Sequence, residues 1–238
     1  EDGEKEEKEE EEELVRKPAS EKTFYHKELA NILELLRKPV SNTQFVAFGF
    51  SERQGRRSNM EDKQCFIAPA LASPNHTSSW FAAVYDGHNG PDASQFLYDN
   101  LYKEVSTILQ QQELNTEKDS FLENEVKTCL YKAFINTDKS LLLSKSKNKP
   151  YLSGSTATTV LHLDGRLYCA NTGDSRSILC RGIKSSDGSF HKKNVTIEVL
   201  SEDQKPTRLD EKNRIINRGG KVFLGRLMGQ LAVSRSFG

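Results

Sequence analysis

The chain is short of several things, and each shortage removes a class of function. No apolar run is long enough to cross a bilayer, and no signal peptide is visible, so an integral membrane protein is not expected. Positive and negative charges cancel at 34 each, and aromatic and basic residues do not interleave, so no nucleic-acid surface is expected. There are only four cysteines, Cys65, Cys129, Cys169 and Cys180, with no CxxC spacing. Each lies in or beside an apolar stretch, which reads as reduced core cysteine and a reducing compartment, cytoplasmic or nuclear. None has the setting of a nucleophile. No internal repeat is present.

The charge that is there is uneven. Residues 1–13 hold ten acids and two lysines, a tail of −8, so the rest carries +8. Such a tail buries too little apolar surface to offset its ordering entropy and reads as disordered over residues 1–19. Residues 20–43 form an amphipathic segment, with Phe24, Leu29, Ile32, Leu33 and Leu36 at helical spacing and Pro39 as its stop. The body spans residues 44–238, long enough for one sizeable core.

Within the body, strands are expected at Phe45–Phe50, Cys65–Ala68 and Trp80–Tyr85, with a loop over Ser73–Ser79. Two helices follow. One starts at Pro91, which suits a first helical turn, and runs through Leu97, Leu101 and Leu109; the other runs from Phe121 to about Leu143. Strands resume at Thr156–Leu163, Arg166–Asn171, Ser177–Arg181 and Val195–Leu200, with Asp164-Gly165 as a two-residue hairpin turn. A short helix over 209–218, closed by Gly219-Gly220, precedes a strand at Lys221–Leu224. Strands, then helices, then strands argue an α+β fold of antiparallel sheets packed face to face, with helices on their outer faces.

The chemistry concentrates where strands give way to turns. Trp80–Tyr85 is an apolar run that ends abruptly in Asp86-Gly87-His88-Asn89-Gly90. Asp174 sits at a second such exit, and Glu61-Asp62 immediately precede a strand. Carboxylates are the oxygen ligands that Mg²⁺ and Mn²⁺ prefer. His88, in the same turn as Asp86, can deliver a proton near neutral pH. Arg57 offers a fork of donors matched to phosphate, with Arg56 as its competitor. Taken singly, each aspartate is better explained by turn chemistry; together with His88 and Arg57 they point to metal-assisted work on an anion.

Six stretches in order resemble the metal-dependent serine/threonine protein phosphatases of the PPM or PP2C type. They are Gly55–Asp62, Asp86–Gly90, Ser153–Ala157, Ala170–Arg176, Arg214-Ile215 with Gly219-Gly220, and Leu231–Gly238. The resemblance implies a β-sandwich of two antiparallel sheets flanked by antiparallel helix pairs. It implies hydrolysis of phosphoserine and phosphothreonine in a protein substrate, by a monomer, with two Mg²⁺ or Mn²⁺ ions activating a water. By position, Asp86 bridges both metals and the Gly87 carbonyl ligates one. Glu61 and Asp62 hold the metal waters, or one of them ligates through those waters, and Asp174 helps to hold a third, weaker ion. Arg57 binds the phosphate, and His88 protonates the leaving oxygen. The same resemblance implies further aspartate ligands and strands beyond Gly238, so the chain is expected to be a fragment of a longer enzyme; the competing expectation is an inactive scaffold acting through protein binding.

Overall fold

A computed structural model of the chain describes residues 48–71, 79–112, 119–148, 153–163, 165–184 and 190–238. The expected acidic tail and amphipathic segment lie outside these residues, as does most of the expected loop before Ser79.

Alternating apolar residues build the central layer. Strands β1 (Lys63–Ile67) and β2 (Ser79–Tyr85) pair antiparallel, and β2 carries Phe81, Ala83 and Tyr85 buried on one face. Between β2 and the next long strand come a short strand β3 (Gly87–His88), helix α1 (Asp92–Gln111), helix α2 (Asp119–Asn148) and a short strand β4 (Gly154–Ser155). Strands β5 (Ala157–Leu163) and β6 (Arg166–Thr172) complete a four-stranded antiparallel sheet in the order β1-β2-β5-β6. Leu163 pairs with Arg166, so the hairpin has the two-residue loop expected of Asp-Gly, with Gly165 at φ 80°.

Helix α1 presents Leu97, Leu101, Val105 and Leu109 every fourth residue, all buried, and α2 answers with Val126, Leu130, Ala133 and Leu141. The two helices pack together on the Phe81 side of the sheet. Tyr102 fixes α1 to the sheet: its ring lies 5.6 Å from that of Phe81, and its hydroxyl donates to the Ala70 carbonyl at 3.0 Å.

After the sheet come a hairpin of β7 (Ile178–Lys184) and β8 (Phe190–Val199), helix α3 (Leu209–Asn217), and the short strands β9 (Val222–Phe223) and β10 (Arg226–Leu227). The α+β architecture of antiparallel sheets and helices is therefore as expected. Among the described residues β7 and β8 form a separate two-stranded sheet, and α1 with α2 is the one long helix pair. The hairpin leaves Ile178, Val195, Ile197 and Val199 exposed on one face.

Local differences have local causes. Phe48–Phe50 adopt no strand; Phe48 instead stacks on Phe66 with ring centroids 4.2 Å apart. The strand expected at Lys221–Leu224 shrinks to Val222–Phe223, because Leu224 turns to φ 49° and Gly225 to φ 75°. Cys180, expected in the core, is exposed, since it shares the open hairpin face with Ile197. Cys129 and Cys169 are buried, as the apolar context implied.

Candidate active site

The exit of β2 is shaped by close backbone approach. Asp86 is followed by β3, whose Gly87 pairs with Ser155 and whose His88 pairs with Gly154. His88 therefore sits in a short strand rather than in the turn expected from sequence; the turn is Asn89-Gly90, with φ of 58° and 116°. Gly87 is the only residue type its place allows. A Cβ there would lie 2.4 Å from the Glu61 carbonyl oxygen and 2.9 Å from Ser94 Oγ.

That closeness holds the Glu61-Asp62 segment against β3. Ser94, buried in the first turn of α1, donates its hydroxyl to the Glu61 carbonyl, and Gly90 N–H donates to Glu61 Oε1 at 2.8 Å. Part of the Glu61 carboxylate is thus spent on the Asn89-Gly90 turn, and its other oxygen remains for a ligand or water. Asp62 and Arg57 are exposed, and Gln54 closes the loop ahead of them by donating to the Arg57 carbonyl at 2.8 Å.

Four of the expected site residues meet around Asp86. The protein packed around it raises its carboxyl above the usual aspartate value. Asp62 and Asp174 raise it further, Arg57 opposes them, and Glu61 adds a smaller push upward. These carboxylates come from three separated stretches, yet Glu61, Asp62 and Asp174 all press on Asp86 at one end of the sheet. A divalent cation relieves such repulsion, and the all-oxygen donor set suits a hard ion that retains waters. Among the described residues no three acidic, histidine or cysteine side chains close around one point by themselves. An ion at this end would be held by few carboxylates, a carbonyl and water rather than in a closed site.

His88 faces the other way along β3. Its Nε2 would lie 2.4 Å from a Cβ on Gly154, and the Phe237 carbonyl would lie 2.9 Å from the same atom. Gly154 thus forms the seat of the imidazole, a role that the Ser153–Ala157 motif carried without announcing it. A Cβ at Gly154 would therefore displace the His88 ring.

Two further features escaped the sequence reading. Thr156 joins the Asp86 and Asp174 exits: its N–H donates to the Asp86 carbonyl at 2.9 Å, its Oγ1 accepts from Asp86 N–H at 3.1 Å, and Oγ1 lies 2.7 Å from Ser175 Oγ. Lys205 forms an ion pair with Asp174. Nothing local in sequence marks either link, because the partners lie far apart along the chain. Burial pushes the thiols of Cys65, Cys129 and Cys169 up from the usual cysteine value, away from thiolate reactivity.

Comparison with known proteins agrees with this arrangement. A family model described as Protein phosphatase 2C matches residues 46–238. The chain is 37% identical over 215 residues to the integrin-linked kinase-associated serine/threonine phosphatase 2C of Mus musculus, covering 86% of this chain and 52% of that protein. It is 35% identical over 198 residues to protein phosphatase 2C homolog 3 of Schizosaccharomyces pombe, covering 83% and 42%. The chain thus spans about half the length of these relatives. Among solved structures, the serine-threonine phosphatase 2C from Toxoplasma gondii shares the fold, with a TM-score of 0.61 at 22% identity, covering 76% of this chain and 64% of that one.

Proposed function

The chain belongs to the protein phosphatase 2C family, and on that premise we propose that the intact protein hydrolyses phosphoserine and phosphothreonine esters in proteins with the help of Mg²⁺ or Mn²⁺. The observation that carries this reading is the meeting of Asp62, Asp86, Asp174 and Glu61 with Arg57 at one sheet end. A structural role for these acids would separate them or pair each with a cation. Only Asp174 is so paired in its described contacts, and the remaining negative charge calls for a ligand.

When bound, a pair of divalent cations supplies a water that is nucleophilic near neutral pH and offsets charge on phosphoryl oxygens. Asp86 and the Gly87 carbonyl would hold that pair, and Gly87's lack of a side chain lets the Glu61 backbone lie against it. Glu61 and Asp62 orient the waters, with Glu61 kept in place by Ser94 and Gly90. Arg57 draws the phosphoryl oxygens in from solvent through its planar fork of donors. His88 gives a proton to the departing serine or threonine oxygen, which is a poor leaving group without one. Asp174 provides the place for a further, weaker ion. Attack by water needs no covalent enzyme intermediate, consistent with the raised thiols.

The test is release of phosphate from a phosphothreonine peptide by the intact protein, with Mn²⁺ and with chelator. Activity with Mn²⁺ that chelator removes is the expected result; chelator-resistant activity sinks the reading. For His88→Gln we expect turnover to fall by about 10²-fold or more, most with poor leaving groups, while Mn²⁺ affinity stays nearly constant. A collapse of metal affinity in this variant makes His88 a ligand or a structural residue instead.

A further inference from the structure

We propose that Gln204 is the positioning residue of the Asp174 turn. This rests on the reading above, because it gives the Asp174 carboxylate a cation to hold. Gly173, just before Asp174, adopts φ 100° and is gripped from two sides. On one side stands Thr156: a Cβ on Gly173 would lie 2.6 Å from Thr156 Cγ2. On the other side stands Gln204, a buried glutamine with 7% exposure.

Gln204 meets Gly173 with both its backbone and its side chain. Gly173 N–H donates to Gln204 Oε1 at 2.7 Å, and Gln204 N–H donates to the Gly173 carbonyl at 2.9 Å. The same amide donates through Nε2 to the Asn171 carbonyl at 3.4 Å. Its own carbonyl accepts from Ser234 N–H at 2.9 Å, which anchors it to the C-terminal segment. One side chain thus supplies the acceptor for a buried amide that would otherwise have none in the turn, and the donor for a carbonyl at the end of β6. Lys205, the next residue, pairs with the Asp174 carboxylate. The clamp and the counter-charge therefore come from adjacent positions, and together they fix where Asp174 stands relative to Asp86.

An amide is needed here for its two faces, one accepting and one donating. Leucine fills similar space and offers neither. A neutral imidazole offers one of each, and a protonated one offers only donors. These properties define the test. In the intact, metal-free protein, hydrogen exchange at the Gly173 amide is compared among wild type, Gln204→Leu and Gln204→His. Mn²⁺ binding is then followed by electron paramagnetic resonance at pH 8 and below the imidazole pKa of about 6.5, each variant against wild type at the same pH.

For Gln204→Leu the expected result is faster exchange at Gly173 and about tenfold weaker binding of the Mn²⁺ class that Asp174→Ala abolishes. Gln204→His should restore both at pH 8 and lose both at the lower pH. Equal Mn²⁺ binding by wild type and Gln204→Leu, with Gly173 freed to exchange, overturns the assignment and leaves Gln204 a purely structural residue. If wild type takes up no Mn²⁺ at all, the phosphatase reading fails first and this assignment falls with it. If the Leu variant does not fold, the pH-dependent loss in Gln204→His decides alone, and its absence overturns the proposal.

Discussion

Replacing Asp86 with alanine should abolish Mn²⁺-dependent release of phosphate from a phosphothreonine peptide while leaving the fold intact. The carboxylate stands where three other acids press on it, and it is the one that the resemblance places between both metals. Its backbone carries the structural load. Thr156 bonds the Asp86 amide and carbonyl, and neither bond involves the Asp86 side chain. Loss of the side chain therefore removes the proposed metal ligand and leaves these backbone bonds in place. The sign of the stability effect follows from the raised carboxyl. A charged group repelled in the folded state destabilises that state near neutral pH, so the metal-free variant should unfold at the same temperature as wild type or slightly higher. Wild type should gain stability on adding Mn²⁺, and the variant should gain far less. Thermal unfolding with and without Mn²⁺, run beside the phosphatase assay, checks each part. Retained turnover in the variant removes Asp86 from the mechanism.

The largest effect on stability is expected at Glu211, in the first turn of α3. This side chain is 2% exposed and accepts from two arginines: Arg214 Nη2 at 2.7 Å and Arg235 Nη2 at 2.6 Å, with Arg235 Nε at 3.0 Å from the second oxygen. Arg214 also donates to the Ser234 carbonyl at 2.9 Å. The triad joins α3 to the segment that ends in Phe237, whose backbone exchanges two hydrogen bonds with Ser155 beside His88. Burial alone would raise the Glu211 carboxyl; hydrogen bonds from Arg235 and Arg214 outweigh it and hold the group far below its ordinary value of 4.5. A depressed folded-state value means stability that is complete above 4.5 and is lost as pH falls below it. Glu211→Ala leaves two arginines facing a buried void and should cost about 3–5 kcal/mol, a large part of a typical domain's stability. Urea unfolding at neutral pH measures the loss, and repetition at pH 4 and below should show the gap to wild type narrowing. A gap that widens in acid contradicts the assigned sign. Replacing all three charged residues with apolar ones should cost less than removing Glu211 alone.

Much of the architecture was readable from periodicity. The apolar run of Trp80–Tyr85, the fourfold spacing of leucines in α1 and the two-residue step from Leu163 to its partner Arg166 each encode one local choice that the packed structure keeps. The site was readable in part, because Asp86 and Asp174 sit at strand exits where packing does not require an acid. The errors share a cause. His88 reads as a turn residue until β4, more than sixty residues later, pairs with it. Lys221–Leu224 reads as a strand until the left-handed Leu224 bends it back on itself. The links from Gln204 and Lys205 to the Asp174 turn depend on contacts between residues about thirty positions apart, where no short-range pattern exists. Local sequence announced which residues carry chemistry; the residues that hold them in place became visible only with the chain folded.

The account depends on divalent cations bound at the Asp86 end of the sheet. Anomalous diffraction from crystals of the intact protein grown with Mn²⁺ locates those ions directly. Two peaks flanking the Asp86 carboxylate, one of them within ligand distance of the Gly87 carbonyl, are the expected result. Ions bound only elsewhere, with the Asp86 carboxylate left uncoordinated at saturating Mn²⁺, would contradict it.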